Sequence, residues 1–179
     1  MKYIRFLKLG IIFTLVLFSQ FVCANENVIN GSVVLNNVKF ESLRINGSLD
    51  FKDLVIEKKI SINGSANGNN LKCQEFTING SLNANYIDIS GKTKISGDLT
   101  VSDGNFGDIE ISSDEINLTS SKVKNIFVKK IRSRTQILEL NKKTIIFGDV
   151  IFESGNGEII LNDGSEIHGS IKGAVVVKK

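Results

Sequence analysis

Proline is absent from this chain of 179 residues, and tryptophan is absent as well. At an average usage of about 5%, roughly nine prolines would be expected. Proline has no backbone N–H to donate, so sheets admit it only at edge strands and bulges. Its absence therefore indicates that nearly every backbone N–H takes part in a ladder. Aromatic residues are also scarce at 7%, whereas isoleucine and asparagine number 25 and 19, a composition typical of strands and turns.

Without residues 1–24, the chain has no excess of positive charge. The chain contains 22 basic and 19 acidic residues, and residues 1–24 hold three basic residues and no acidic one. The remainder has 22 − 3 = 19 basic residues against 19 acidic ones. This neutral balance gives no electrostatic reason to expect nucleic acid as a partner.

Residues 1–24 have the layout of a secretory signal peptide, with a basic start, an apolar run and small residues at the end. The apolar run, residues 9–18, is shorter than the about 20 residues of a membrane span. We therefore expect no transmembrane span in the mature chain. Cleavage is predicted between Ala24 and Asn25, which leaves residues 25–179 as one exported domain in the periplasm, the cell envelope or the medium.

The alternative is a lipoprotein anchored through Cys23. Val22 and Gln20 disfavour it, because a lipoprotein signal has a small residue and a leucine there. If Cys23 leaves with the leader, Cys73 is the only thiol and no intrachain disulfide can form.

An internal repeat dominates the rest of the chain. The tetrapeptide Ile-Asn-Gly-Ser recurs, and related anchors continue it at spacings of 16, 17, 16, 17 and 16 residues. The anchors are Ile29, Ile45, Ile62, Ile78, Ile95 and Ile111, with fainter ones at Val128, Ile146 and Ile167.

Apolar residues recur at fixed positions when the anchor is counted as position one. The fifth position holds Val33, Leu49, Ala66, Leu82 and Leu99, and the seventh holds Leu35, Phe51, Gly68, Ala84 and Val101. The tenth holds Val38, Leu54, Leu71, Ile87 and Gly104, and the twelfth holds Phe40, Ile56, Cys73, Ile89 and Phe106. Leu43, Ile60, Phe76, Thr93 and Ile109 stand two residues before the next anchor.

These positions form three pairs per repeat, each spaced by two residues, which is typical of a strand with one buried face. Three short strands joined by corners make a three-sided coil, and stacked coils pair each strand with its copy about 4.8 Å away. The sequence therefore predicts an all-β, parallel β-solenoid of about nine coils, on the order of 40 Å long. A right-handed winding is expected from the preference for right-handed parallel crossovers.

The Asn-Gly-Ser corner has a physical explanation, since glycine adopts positive φ freely and asparagine tolerates it. Stacked in register, the asparagines are expected to form an amide ladder beside a column of serines. The predicted corner residues are Asn30, Gly31, Asn46, Gly47, Asn63, Gly64, Asn79 and Gly80, and the serines are Ser32, Ser48, Ser65 and Ser81. The alternative, that Asn-Gly-Ser is a glycosylation acceptor, is not needed to explain its recurrence.

These repeats resemble two groups of known proteins. The apolar pairs and residues 163–173 (DGSEIHGSIKG) resemble bactofilins, which are polymer-forming bacterial β-helix proteins. Residues 87–91 (IDISG) and 108–112 (DIEIS) are similar to GIN-type adhesin heads, which are exported β-solenoids. The resemblance implies a non-enzymatic role in self-association or at a surface.

Catalytic and metal-binding signals are weak. His168, the only histidine, stands in the Asn slot of an Ile-x-Gly-Ser corner, where an exposed structural role is expected. Hexapeptide transferases use a histidine, but their six-residue repeat is lacking here. Cys73 occupies an inward position and is expected to be a small core residue. The acidic residues between Asp103 and Glu115 match neither the calcium-binding nonapeptide repeat nor an EF-hand loop, although calcium remains an alternative. We predict no catalytic residue, metal site or cofactor.

Charge is concentrated in residues 122–143, which carry eight basic residues against Glu139, a net +7. A solvated face is one interpretation. The other is a patch that binds an anionic partner, such as lipid head groups, an acidic polysaccharide or a neighbouring copy. Its residues are Lys122, Lys124, Lys129, Lys130, Arg132, Arg134, Lys142 and Lys143.

The sequence thus favours an exported, non-catalytic structural or self-assembling protein of the cell envelope. The alternative is a binding module, like an adhesin head, that engages an anionic glycan, lipid or protein. Self-association end to end is expected because a stacked solenoid leaves an unpaired strand row at each end. Residues 174–177 (AVVV) would form the second end, where Lys178 and Lys179 could instead act as gatekeepers against pairing.

Overall fold

The structure is a computed structural model that describes residues 26–131 and 135–179. The predicted leader and its cleavage site lie outside these ranges, as do Arg132 and Arg134. In the described ranges the chain forms strands and turns and no helix. The strands are β1 Glu26–Asn30, β2 Val33–Phe40, β3 Ser42–Asn46, β4 Leu49–Ile56, β5 Lys59–Asn63, β6 Ala66–Cys73, β7 Glu75–Asn79, β8 Leu82–Ser96, β9 Leu99–Ser112, β10 Glu115–Thr119, β11 Lys122–Val128, β12 Ile137–Asn141, β13 Ile145–Ile146, β14 Val150–Phe152, β15 Gly157–Leu161, β16 Glu166–Ile167, β17 Ile171–Lys172 and β18 Ala174–Lys178.

All pairings between these strands are parallel, and each strand pairs with its copy in the next coil. The anchor isoleucines stand in line, one per coil: Ile29, Ile45, Ile62, Ile78, Ile95 and Ile111. The chain is therefore a parallel β-solenoid of about nine coils, which confirms the fold predicted from the repeat.

Each coil has three faces, named here from the second coil. Residues 43–45 belong to the anchor face, residues 49–51 to the second face and residues 54–56 to the third face. From Ile29 to Ile111, the inward positions predicted from the repeat are all buried except Ile29, Phe40 and Gly68, which are partly exposed. One apolar cluster fills the interior from Val33 to Leu161. Since no coil can enclose a core alone, this cluster holds the coils together.

The last two predicted anchors, Ile146 and Ile167, were assigned to the wrong face. Ile146 pairs with Val123 and Ile167 with Ile146, so both continue the twelfth-position column on the third face. The residue that continues the anchor column above Val128 is Phe152. The connection between β11 and β12 is longer than in the earlier coils and shifts the repeat. In the later coils, the corner after the third face also contains glycine, so its sequence resembles the Asn-Gly-Ser corner.

In the first five coils the corner between the second and third faces does not interrupt the strands, unlike the separate short strands that we predicted, whereas in the later coils the strands are separate there. In β2, β4, β6, β8 and β9 a single residue with φ between 52° and 61° bends the strand there. These residues are Asn37, Asp53, Asn70, Tyr86 and Asp103. Asparagine and aspartate tolerate this left-handed conformation better than other residues with a Cβ atom, which leaves Tyr86 as the exception.

The Asn-Gly-Ser corner requires glycine for two reasons. Gly47 and Gly64 have φ of +152° and +146°, values that glycine alone adopts without strain. The stacked backbones also approach so closely that a Cβ atom on Gly64 would lie 2.2 Å from the carbonyl oxygen of Gly47. The predicted role of the corner glycines is therefore confirmed.

Candidate functional site

An amide ladder runs along the edge between the anchor and second faces. Asn46 Nδ2 donates to Asn30 Oδ1 at 2.8 Å, Asn63 to Asn46 at 2.9 Å and Asn79 to Asn63 at 3.0 Å. The serines beside them are in register, because the residue after Ser32, Ser48 or Ser65 donates its N–H to the serine carbonyl of the next coil. Both predicted stacks are confirmed, and the ladder gives these asparagines a structural task.

A second edge carries a ladder of mixed carboxylates and amides. Asn125 Nδ2 donates to Asp108 Oδ1 at 2.7 Å, and Asn125 Oδ1 accepts the N–H of Asp149 at 2.8 Å. Asp149 in turn accepts the N–H of Ser170 at 2.8 Å. Within residues 26–131 and 135–179, no three His, Cys, Asp or Glu side chains come together as a metal site would require. The carboxylate of Asp108, a member of the acidic run, accepts a hydrogen bond in this ladder.

A column of buried hydroxyls replaces the apolar tenth position in the later coils. Gly104 N donates to Ser121 Oγ at 3.0 Å, Ser121 N to Thr144 Oγ1 at 3.1 Å and Thr144 N to Ser165 Oγ at 3.2 Å. Sequence reasoning missed this column, although Ser121, Thr144 and Ser165 each stand two residues before a buried or half-buried apolar residue. Each hydroxyl accepts a hydrogen bond from a backbone N–H of the preceding coil, so these buried N–H groups at the corner are satisfied.

The charged centre of the anchor face is Glu110. Its carboxylate contacts Lys92 Nζ at 2.5 Å and also pairs with Lys129. Hydrogen bonds from Lys129 and Lys92 lower the pKa of Glu110 to about 2, and the same contact raises the pKa of Lys129. This triad joins three successive coils, and Glu110 is only partly exposed.

Two shallow depressions meet at Glu110. The larger, about 370 Å³, is lined by Phe127, Ile151 and Asp149 among others. The smaller, about 190 Å³, is lined by Thr77, Lys94, Lys129 and neighbouring polar groups. Both are open to solvent and lie on the outside of the filled core.

The structure distributes the predicted basic patch over three edges of the coil. Lys122 and Lys124 flank the edge after the third face, and Lys124 lies 3.8 Å from Asp108. Lys129 and Lys130 follow the anchor face, where Glu110 pairs with Lys129. Lys142 and Lys143 lie at the corner after β12, and both have positive φ. The described lysines therefore do not form one surface, and an anionic partner for this segment stays a prediction.

Cys73 and His168 occupy different environments. Cys73 is buried, and desolvation raises the pKa of its thiol to about 12. His168 lies on the edge after the third face rather than in the Asn slot that we predicted, because Ile167 belongs to that face. Its Nε2 lies 3.0 Å from Glu166 Oε2, and its ring meets Phe147 edge-on at 5.9 Å between centroids.

Comparison with known proteins gives no relative: no family model matches the chain, and neither the curated proteins nor the solved structures include a significant match. Among the residues that the structure describes, none forms an apolar helix of membrane-spanning length.

Proposed function

We propose that this protein is an exported, non-catalytic structural rod of the cell envelope that associates through its ends. The observation that supports association is the pairing of the end strands. In the described chain, β1 and β2 pair only with the coil above them, and β17 and β18 only with the coil below. An unpaired strand row is a template for pairing with another chain.

The second end of the rod is also apolar. Val175 and Val176 are 70% and 37% exposed. Val176 continues the inward column of Ile159, so a strand added to this end would bury it. Lys178 lies over Leu161 in the neighbouring inward column, and its flexible stem allows the ammonium group to reach solvent beside a joint.

Sedimentation of the purified protein over a range of concentrations tests association. We expect concentration-dependent oligomers that Val176→Lys converts to folded monomers. Val55→Glu is the matched control, because Val55 is similarly exposed, at 38%, lies outside the last coil, and has Lys39 and Lys72 beside it to offset the new charge. A wild-type protein that stays monomeric at high concentration, or a Val176→Lys variant that still associates, would refute association through this end.

Export is tested separately by the amino terminus of the protein recovered from its producing cells. We expect the mature chain to begin at Asn25 and to be found outside the cytoplasm. A chain that retains residues 1–24, or one that carries lipid on Cys23, would contradict this part of the proposal.

A further inference from the structure

On the second face, the outward positions between its two corners carry no charged side chain over four successive coils; Glu115 borders them and accepts a hydrogen bond from Asn117 Nδ2 at 2.9 Å. Two parallel columns of short polar side chains stand there, about 4.8 Å apart along the rod. The first column is Asn67, Asn83, Thr100 and Asn117, and the second is Asn69, Asn85, Ser102 and Thr119. All eight residues are exposed or half-exposed. They form a neutral grid of hydrogen-bond donors and acceptors, within which Asn85 Nδ2 donates to Asn69 Oδ1 at 3.0 Å.

The neutrality of this grid is particular to the second face. In the same coils, the outward column of the anchor face contains Lys94 and Glu110. The outward column of the third face contains Lys72, Asp88 and Lys122. A neutral grid loses less free energy of hydration than a charged face when another molecule covers it. This difference favours a contact surface over a merely solvated one.

Tyr86 stands at the border of the grid and is the least expected residue in its column. Positive φ at this corner is found at Asn37, Asp53, Asn70 and Asp103, which suit it, and in the next two coils at Ser120 and Lys142; Tyr86, with φ 56°, is the one aromatic residue among them. A bulky residue in this conformation costs about 1–3 kcal/mol. Its ring is also 61% exposed, so core packing does not compensate for the strain. Since Lys142 shares this conformation at the same corner, it is the exposed aromatic ring of Tyr86, rather than its strain, that offers a contact to a ligand.

We propose that the grid and Tyr86 bind an uncharged polysaccharide lying along the rod. The rise of about 4.8 Å per coil is close to the length of one pyranose unit in an extended chain, so successive sugars would meet equivalent side chains. Amides and hydroxyls both donate and accept, as sugar hydroxyls require. The ring of Tyr86 offers an apolar face to the C–H groups of one sugar and a hydroxyl at its rim. This binding goes beyond the proposed function and does not depend on association of the ends.

Binding of the purified protein to insoluble cellulose, chitin, xylan and β-1,3-glucan tests the proposal, with alginate as the anionic comparison. We expect binding to at least one neutral polymer and weaker binding to alginate. Tyr86→Asn restores the residue type of the column, so it should fold at least as well as the wild type. It should weaken binding roughly tenfold, as should Thr100→Asp within the grid.

Thr77→Asp is the matched control, because Thr77 is an outward threonine on the anchor face, and it should bind as the wild type does. Melting temperatures of all three variants verify that they are folded. Absence of binding to every neutral polymer, or full binding by Tyr86→Asn, would overturn the proposal. Preference for alginate would assign the face to an anionic glycan instead, and a dimer that Thr100→Asp dissociates would assign it to a second copy.

Discussion

A pair of neighbouring residues gives the sharpest test of the direction in which side chains point. Leu54 is fully buried between Val38 and Leu71 of the adjoining coils. Val55, the next residue, is 38% exposed and lies between Lys39 and Lys72. We expect Leu54→Asp to destabilise the rod strongly and Val55→Asp to leave its stability nearly unchanged.

The magnitudes follow from these surroundings. Loss of a buried leucine side chain costs about 2–5 kcal/mol, and an unpaired carboxyl group in the same space adds a desolvation cost. A total of at least about 4 kcal/mol corresponds to a fall of roughly 10 °C in melting temperature for a chain of this size. A surface substitution stays within about 0.5 kcal/mol, and the two lysines attract the new carboxylate of Val55→Asp.

Thermal unfolding followed by far-ultraviolet circular dichroism measures both variants against the wild type. At low temperature, Val55→Asp must show the wild-type strand spectrum. Leu54→Asp should either show the same spectrum with a lower melting temperature or be already unfolded. Equal melting temperatures, or a larger fall for Val55→Asp, would show that the assignment of inward and outward positions is wrong.

Three further predictions concern individual side chains. The Cys73 thiol, whose pKa burial raises to about 12, should react with thiol reagents only as fast as the rod opens, and immediate labelling of the folded protein would contradict this. Glu110→Gln should cost about 0.5–1 kcal/mol at neutral pH. Because folding lowers the pKa of Glu110 from 4.5 to about 2, that difference should be complete above pH 4.5 and vanish as the pH falls toward 2; a difference that persists at pH 2 would argue against the ion-pair triad. Lys142→Glu with Lys143→Glu should abolish any salt-dependent retention on heparin, and unchanged retention would exclude this corner as the anionic contact.

The fold was predictable because two periodicities agree. Alternation of two residues marks the strands, and the recurrence from Ile29 to Ile111 sets the length of the coil. The prediction failed where the coil lengthens. Around Ile146 and Ile167 two different corners share glycine after an isoleucine, and the sequence contains no local signal that separates them. Only the pairing with Val123 reveals the face.

The surfaces were less predictable than the core. The amide ladder followed from the spacing of Asn30 and its copies, since identical residues at identical positions must stack. The position of Tyr86 had no such signal, because outward positions obey no apolar rule and the left-handed bend is a property of the backbone. The hydroxyl of Thr144 was also overlooked, since its partners come from coils more than twenty residues away.

The stacked Asn-Gly steps have a consequence for the chemical ageing of the protein. Asparagine followed by glycine deamidates when the glycine nitrogen attacks the side-chain carbonyl carbon and expels ammonia. In the rod that nitrogen is already engaged, since Gly47 N donates to Asn63 O at 3.0 Å, and the side-chain amide is held in its ladder. Folding should therefore slow deamidation at the Asn-Gly steps of this corner. In an unfolded chain these asparagines would convert to aspartate and isoaspartate, which cannot donate the hydrogen bonds of the ladder. Deamidation would therefore accumulate with the time spent unfolded, and the altered chains would refold less readily.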